Sequence, residues 1–197
     1  MDPTLTAWRK QQRAALLAQR QTLDPAARRR TAEAIMRHLD TLLSGLTVRT
    51  IGLYWPIQYE PNLLSWARAL AQRGVTLALP VVVARGQPLE YWRWHADQPM
   101  GKGIWDIPIP SARDVLLPDL VLAPLVGFDA AGYRLGYGGG YFDRTLARLA
   151  PRPLAIGIGY DFAAIETIQP QPHDIPMDAI LTEGRADIPT TWRHHAA

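Results

Sequence analysis

The chain has 197 residues, of which 48% are hydrophobic and 20% charged, and its formal net charge is +3. This composition is typical of a soluble globular protein, and the length predicts a single domain, 1–197, with a sizeable buried core. Because the sequence contains no cysteine, disulfides, thiolate metal sites and cysteine nucleophiles are excluded. With no apolar signal core or membrane-length apolar run, we expect a cytoplasmic protein that does not enter a membrane.

The excess positive charge lies in the first 40 residues, which carry eight Lys or Arg against four acidic residues. Apolar residues recur there at helical spacing, which predicts helices over 5–21 and 26–44. Asp24 followed by Pro25 is typical of an N-cap and a first helical turn. The basic segment either presents solvated helix faces or contacts a polyanion.

Short β-rich runs follow, at 48–56, 75–83, 89–94, 119–129, 154–160 and 178–183. Amphipathic helices are predicted between them, at 61–73 and 140–149. Strands that alternate with helices predict a three-layer α/β fold with a mostly parallel sheet. The Pro- and Gly-rich stretch 97–118 is predicted to be a long loop. Residues 191–197 are predicted to be a frayed tail whose histidines bind no metal.

The sequence RLGYGGGYFD, at 134–143, carries four glycines in five positions. A linker would be polar and flanked by domain boundaries, whereas this stretch lies among aromatic residues, after an apolar strand and before an amphipathic helix. A strand, a glycine-rich turn and a helix N-terminus form the arrangement that binds anions through backbone N–H groups. Neither the P-loop pattern nor the G-x-G-x-x-G fingerprint fits. The stretch therefore predicts another kind of phosphate or nucleotide site.

Two carboxylates are candidate magnesium ligands. Asp143 follows the glycines in the first helical turn, where it either binds Mg²⁺ beside bound phosphates or balances the helix N-terminus. Asp174, in PHDIPMD, is either a second ligand or a turn residue among prolines. The residue pattern alone thus favours an enzyme that uses a magnesium-bound nucleotide.

The segment LVLAPLVGFDAAGYRLGYGGGYFDR, at 120–144, closely resembles the signature of the 5-formyltetrahydrofolate cyclo-ligase family, also called methenyltetrahydrofolate synthetases. The resemblance extends to the basic N-terminal helix and to the segments LYWPIQYEPN (53–62), VTLALPVV (75–82) and PHDIPMDAILTE (172–183). It implies a Rossmann-like three-layer fold and a ligase of one-carbon metabolism. It also implies ATP-dependent closure of 5-formyltetrahydrofolate to 5,10-methenyltetrahydrofolate, with Mg²⁺ and with release of ADP and phosphate.

The resemblance further implies roles for individual residues. Arg134 and Tyr141 are the expected catalytic residues, Asp143 and Asp174 the magnesium ligands, and Trp55 and Glu60 folate contacts. Gly138, Gly139, Gly140 and Tyr141 are also expected to line the folate side. The residues expected to bind ATP are Arg9, Lys10, Arg13, Arg134, Leu135, Gly136, Tyr137, Gly138, Gly139, Gly140, Tyr141 and Phe142.

Three positions depart from the family pattern. The family's N-terminal Lys and Arg, four residues apart, are best matched by Arg9 and Arg13, with Lys10 one step out of register. Phe142 stands where the family often has Tyr, and Ile109 where it often has Glu. The first departure bears on a phosphate contact, whereas those at Phe142 and Ile109 bear on folate preference more than on ATP binding.

Two alternatives stay open at this point. One is a divergent family member that binds ATP but acts on another substrate, and the other is a basic nucleic-acid-binding module. The second has no stacking-aromatic motif in its favour. The expected partner is a small folate, with a polyglutamate tail or without one, bound by a protein that is monomeric and contacts neither nucleic acid nor membrane.

Overall fold

A computed structural model describes residues 3–186, so the predicted tail at 191–197 lies outside the described residues. All four predicted helices are present. Asp24 caps the second helix as predicted, because its side chain accepts a hydrogen bond of 2.8 Å from the Ala27 N–H. The helices are α1 Pro3–Gln21, α2 Pro25–Leu43, α3 Leu64–Gln72 and α4 Tyr141–Arg148.

The strands are β1 Thr50–Gly52, β2 Thr76–Val81, β3 Glu90–Arg93, β4 Met100–Lys102, β5 Pro108–Pro110, β6 Val115–Leu116, β7 Leu120–Pro124, β8 Gly127–Phe128, β9 Arg134–Leu135, β10 Leu154–Ile158 and β11 Ala179–Leu181. Seven of them form one sheet in the order β11-β10-β7-β1-β2-β3-β6. The pairings from β11 to β2 are parallel, and those of β3 and β6 are antiparallel. The predicted mostly parallel sheet is confirmed.

Helices cover both faces of this sheet. Alternate strand residues such as Ile51 and Leu122 pack against α2 and α3 in one cluster. Their neighbours in sequence face the other way, where Val121 and Ala123 pack in clusters that include side chains of α4. Because successive strand residues point to opposite faces, these clusters define the three layers that the sequence predicted.

The sequence prediction was wrong in two places. The predicted loop at 97–118 contains a β4–β5 hairpin and the short edge strand β6. The predicted strand at 119–129 ends at Pro124, and the chain after it pairs in a separate β8–β9 hairpin. The first segment is rich in Pro and Gly, and the second is almost continuously apolar. Neither therefore shows the alternation of apolar and polar residues that marks short strands.

The segments that follow β1, β7 and β10 extend from the carboxyl edge of the parallel sheet, where ligands bind in open α/β folds. Helix α1 packs at this edge, with Leu16 against Val126, Leu135 and Ile168. Within residues 3–186, no helix combines the length and the apolar character that crossing a membrane requires.

Candidate functional site

The glycine-rich loop, residues 136–140, connects β9 to the first turn of α4. Gly138 has a φ of +94° and Gly140, the N-cap of α4, a φ of +62°. Such left-handed residues next to a helix N-terminus can present several backbone N–H groups to one anion. The predicted order of strand, glycine turn and helix is therefore present.

Two arginines of α1 reach this region across the fold. Arg9 donates to Asp174 at 2.6 Å, and to the carbonyl oxygens of Ile168 and Gln169 at 3.1 and 2.8 Å. Arg13 donates from Nε to the Gly136 carbonyl oxygen at 2.7 Å. Lys10, which was also predicted to bind ATP, is exposed on the outer side of the helix. The fold thus brings Arg13 to the glycine-rich loop and Arg9 to the segment around Asp174.

Gly138 is positioned directly against Arg13. A Cβ atom added to Gly138 would lie 3.3 Å from Cζ of the Arg13 guanidinium. Glycine therefore serves twice here, because it permits the positive φ and leaves room for the arginine.

A buried ion pair lies beneath the loop. Arg134 donates to Asp143 at 2.9 Å, and their side chains are 5% and 14% exposed. Burial lowers the pKa of the Arg134 guanidinium, and the charge of Asp143 opposes that effect. The second oxygen of Asp143 accepts a hydrogen bond from the Ile175 N–H at 3.2 Å. Asp143 thereby links the α4 N-terminus to the chain beside Asp174.

Asp174 lies in the same cluster, between Arg9 and a backbone donor. Its carboxylate accepts hydrogen bonds from Arg9 and from the Gln171 N–H, the latter at 2.7 Å. Burial raises the pKa of this carboxyl, but these two bonds, together with the nearby charges of Arg9 and His173, outweigh that effect and the net direction is downward. The site therefore holds two carboxylates, each already paired with a cation.

The donor set fits a magnesium ion that shares its coordination with phosphate. Within residues 3–186, no group of three or more His, Cys, Asp or Glu side chains could hold a metal ion. Magnesium, however, commonly takes only one or two carboxylates, together with phosphate oxygens and waters. Asp143 and Asp174 supply that number and type of ligand. Each would have to share its oxygens with the arginine it contacts.

Glu60 is a buried carboxylate on a constrained turn at the same edge of the sheet. Its oxygens accept hydrogen bonds from the Tyr137 hydroxyl at 2.8 Å and from the Ile57 N–H at 2.9 Å. Gln58 and Tyr59 before it have φ values of +45° and +61°, a conformation that is unfavourable for residues with side chains and clusters at functional sites. Burial raises the pKa of Glu60 to about 7, although both hydrogen bonds oppose the rise.

Tyr137 connects the two halves of the site. It belongs to the predicted nucleotide loop, yet its hydroxyl donates to Glu60, the predicted folate contact. Trp55, the other predicted folate contact, is half-buried and packs against the main core. The remaining loop residues predicted for ATP, from Leu135 to Phe142, follow one another through β9 and into α4.

Sequence reasoning missed Arg20. This residue is fully buried and donates to the Tyr137 hydroxyl at 3.2 Å and to the Leu125 carbonyl oxygen at 2.6 Å. The buried residues of α1 are Leu5, Arg9, Leu16 and Arg20. Their spacing of four, seven and four places both arginines on the apolar face of the helix, and that register was the available signal.

Trp105 was missed as well. It lies in the turn of the β4–β5 hairpin with a φ of +59°, is 59% exposed, and meets the Tyr141 ring edge-on at a centroid distance of 5.8 Å. The Arg144 guanidinium lies over the Tyr141 ring, 5.2 Å from its centroid. A tryptophan among the prolines of the predicted loop was the signal in the sequence.

The departures at Phe142 and Ile109 have structural settings. The Phe142 ring packs with the sheet-facing cluster of Tyr91 and Val121, and the Arg134 guanidinium lies 5.1 Å from its centroid. Ile109 lies in β5 opposite Gly101 and fills space above the hairpin glycines. Both side chains are accommodated in apolar or stacked contacts.

The chain is similar to known proteins over nearly its whole length. It is 33% identical over 191 residues to a 5-formyltetrahydrofolate cyclo-ligase of Mycolicibacterium smegmatis, covering 91% of this chain and 96% of that one. A cyclo-ligase of Haemophilus influenzae is 28% identical, covering 89% and 98%.

The fold is also similar to that of solved structures. The structure of a 5,10-methenyltetrahydrofolate synthetase of Aquifex aeolicus matches with a TM-score of 0.78 and 30% identity, over 90% of each chain. A synthetase of Mycoplasma pneumoniae shares the fold, with a TM-score of 0.75 at 24% identity. A profile of the 5-formyltetrahydrofolate cyclo-ligase family matches residues 5–183. The chain therefore belongs to the 5-formyltetrahydrofolate cyclo-ligase family.

Proposed function

We propose that this protein is an ATP-dependent 5-formyltetrahydrofolate cyclo-ligase that forms 5,10-methenyltetrahydrofolate, ADP and phosphate. The observation that carries the proposal is the convergence of three arginines, two aspartates and a glycine-rich loop beside one buried carboxylate, Glu60. A polyanion and a ring with N–H donors can both be bound at such a place, side by side.

On the nucleotide side, Arg9, Arg13 and Arg134 supply fixed positive charge, and the backbone of residues 135–142 supplies N–H donors. Phosphoryl transfer depends mostly on positioning and on charge stabilisation, and this cluster offers both. Asp143 and Asp174 would hold Mg²⁺, which when bound neutralises phosphate charge. Arg134, held in place by Asp143, is the residue assigned to the charge that develops on the transferred group.

On the folate side, Glu60 would accept hydrogen bonds from N–H groups of the pteridine ring, with Trp55 beside it. The formyl oxygen attacks the γ-phosphorus of ATP and ADP departs. N10 then attacks the formyl carbon, and phosphate leaves with the formyl oxygen while N10 loses its proton. Gly138, Gly139, Gly140 and Tyr141 would lie between these partners, so the chain's task would be to hold the two substrates in contact.

The direct test is to incubate the protein with ATP, Mg²⁺ and 5-formyltetrahydrofolate and to follow the near-ultraviolet absorbance of the methenyl product. We expect product and ADP in equal amounts, and none without ATP. A folded protein that binds ATP but forms no methenyl product would instead support a divergent family member with another substrate.

The location of the basic side chains favours a small polyanion over a nucleic acid as the partner. Arg9 is buried and bonded to Asp174, and Arg13 is bonded to the glycine-rich loop. These arginines point into the site rather than forming an open basic stripe of the kind that tracks a nucleic-acid backbone.

Trp105→Ala is expected to raise the KM for the folate about tenfold, because an exposed aromatic face next to Tyr141 offers stacking to the substrate's rings. The KM for ATP should stay within twofold. Steady-state kinetics with each substrate varied in turn provides the measurement. Leu117→Ala, which removes an equally exposed apolar side chain after β6, is the matched control. Equal effects of the two substitutions on the KM for the folate would show that Trp105 does not contact the substrate.

A further inference from the structure

Three polar side chains from three separate parts of the chain form a continuous series of hydrogen bonds inside the protein. Arg20 of α1 donates to the Tyr137 hydroxyl at 3.2 Å, and this hydroxyl donates to Glu60 at 2.8 Å. The second carboxylate oxygen is held by the Ile57 N–H. Each oxygen of the Glu60 carboxylate is therefore held by a hydrogen bond.

Arg20 has no part in the proposed chemistry, yet it is completely buried. Its guanidinium is bonded to the Leu125 carbonyl oxygen and lies 5.6 Å from the centroid of the Tyr160 ring. Among the described residues its Nε atom has no hydrogen-bond partner. Because a buried charge seldom adds net stability over a well-packed apolar side chain, its presence calls for a role other than packing.

Arg20 is the cation that faces the Glu60 carboxyl. The other titratable groups around this carboxyl are tyrosines: Tyr54 after β1, Tyr137 of the loop and Tyr160 after β10. The Tyr54 and Tyr160 hydroxyls donate to the carbonyl oxygens of Pro61 and Tyr59, and so hold the turn around Glu60. Tyr137 alone among these tyrosines donates to the carboxylate itself.

We propose that Arg20 is a positioning residue for the folate subsite, and that it acts through the Tyr137 hydroxyl to hold Glu60 in its substrate-binding orientation. This inference rests on the proposed function. Since Tyr137 belongs to the glycine-rich loop, the same contact makes the geometry of the folate subsite depend on the loop that binds the nucleotide. Arg20 itself touches neither substrate.

The charge of Arg20 and the Tyr137 hydrogen bond both favour the ionised form of Glu60. Removing either one raises the pKa of this carboxyl. A protonated carboxyl loses one acceptor for the N–H donors of the pteridine ring, so folate binding weakens on the acid side of the profile. In Tyr137→Phe the acid limb of kcat/KM for the folate therefore moves to higher pH.

The test uses the full-length protein and the variants Tyr137→Phe, Arg20→Gln and Arg20→Lys. Carbon-13 NMR of the Glu60 carboxyl in the substrate-free protein measures how Arg20 and Tyr137 affect the titration of Glu60, without any folate. We expect its titration midpoint to rise in Tyr137→Phe and Arg20→Gln and to stay near wild type in Arg20→Lys. In kinetics, Tyr137→Phe should raise the KM for the folate about tenfold, with the KM for ATP changed less than twofold.

Tyr133→Phe removes a hydroxyl from the neighbouring β8–β9 hairpin, outside this series of bonds, and is the matched control. An unchanged Glu60 titration in Tyr137→Phe, or equal rises in both KM values, would overturn the inference. If Arg20→Gln does not fold, the Tyr137→Phe result decides. If the titration midpoint of Glu60 rises in the variants but the protein never turns over the folate, the coupling of Arg20 and Tyr137 to Glu60 would be supported and the proposed function refuted.

Discussion

Asp143→Asn is expected to lower kcat/KM for ATP at least about 100-fold. The substitution would remove the proposed charged ligand for Mg²⁺, and it also releases Arg134, which is held by Asp143 at 2.9 Å. It leaves the buried guanidinium without its counter-charge, so the free energy of unfolding should fall by about 3 kcal/mol. Turnover at varied ATP and Mg²⁺ measures the first effect, and urea unfolding measures the second.

Asp114→Asn is the appropriate control, because it breaks an ion pair of similar geometry that is exposed and lies at the far edge of the sheet. Arg93 donates to Asp114 at 2.6 Å, and the two side chains are 37% and 52% exposed. Its turnover should equal that of the wild type. If Asp143→Asn were destabilised but retained near wild-type turnover, Asp143 would be a structural partner of Arg134 and not a metal ligand.

Gly138→Ala is expected to raise the KM for ATP by about tenfold or more. The added Cβ would lie 3.3 Å from the Arg13 guanidinium, so the guanidinium must shift by a few tenths of an ångström from the position in which it bonds the loop. The positive φ adds a cost of about 1–2 kcal/mol to the folded state. Binding of a nucleotide analogue by calorimetry, with unfolding followed in parallel, separates the two effects.

Gly74→Ala is a matched control for backbone strain. Gly74 has a φ of +91°, close to that of Gly138, but nothing lies within 4 Å of the position where its Cβ would be. It should lose similar stability and bind the nucleotide normally. Equal nucleotide binding by the two variants would mean that Arg13 does not depend on the space at Gly138.

The sequence was sufficient for the layers of the fold and for the backbone of the candidate site. Asp24 with Pro25 marks the start of α2, and the unbroken apolar runs mark the central strands, because local chemistry decides these features. The glycines at 136–140 likewise identify a loop shaped for a ligand. Each of these signals lies within a few residues of the structure that it predicts.

The hydrogen bonds that organise the site could not be predicted in this way. Arg9 contacts Asp174, 165 residues further along the chain, and Tyr137 contacts Glu60, 77 residues before it. No local period in the sequence encodes such pairs, so the sequence assigns Tyr137 only to the nucleotide. The register of α1 places Arg20 on the buried face of the helix but does not reveal its partner Tyr137. The β4–β5 hairpin was missed because its strands have three residues each, too few to display a period.

The placement of α1 has a consequence for biosynthesis. Helix α1 is synthesised before the segments that it packs against, because the partners of Arg9 include Asp174, which follows 165 residues later. The sheet strands β1, β2 and β7 can pair while the chain is still growing. The residues that pack against Leu16 of α1, namely Val126, Leu135 and Ile168, are synthesised later. The order of synthesis therefore delays the candidate site, which can form only after the segment around Asp174 has been made.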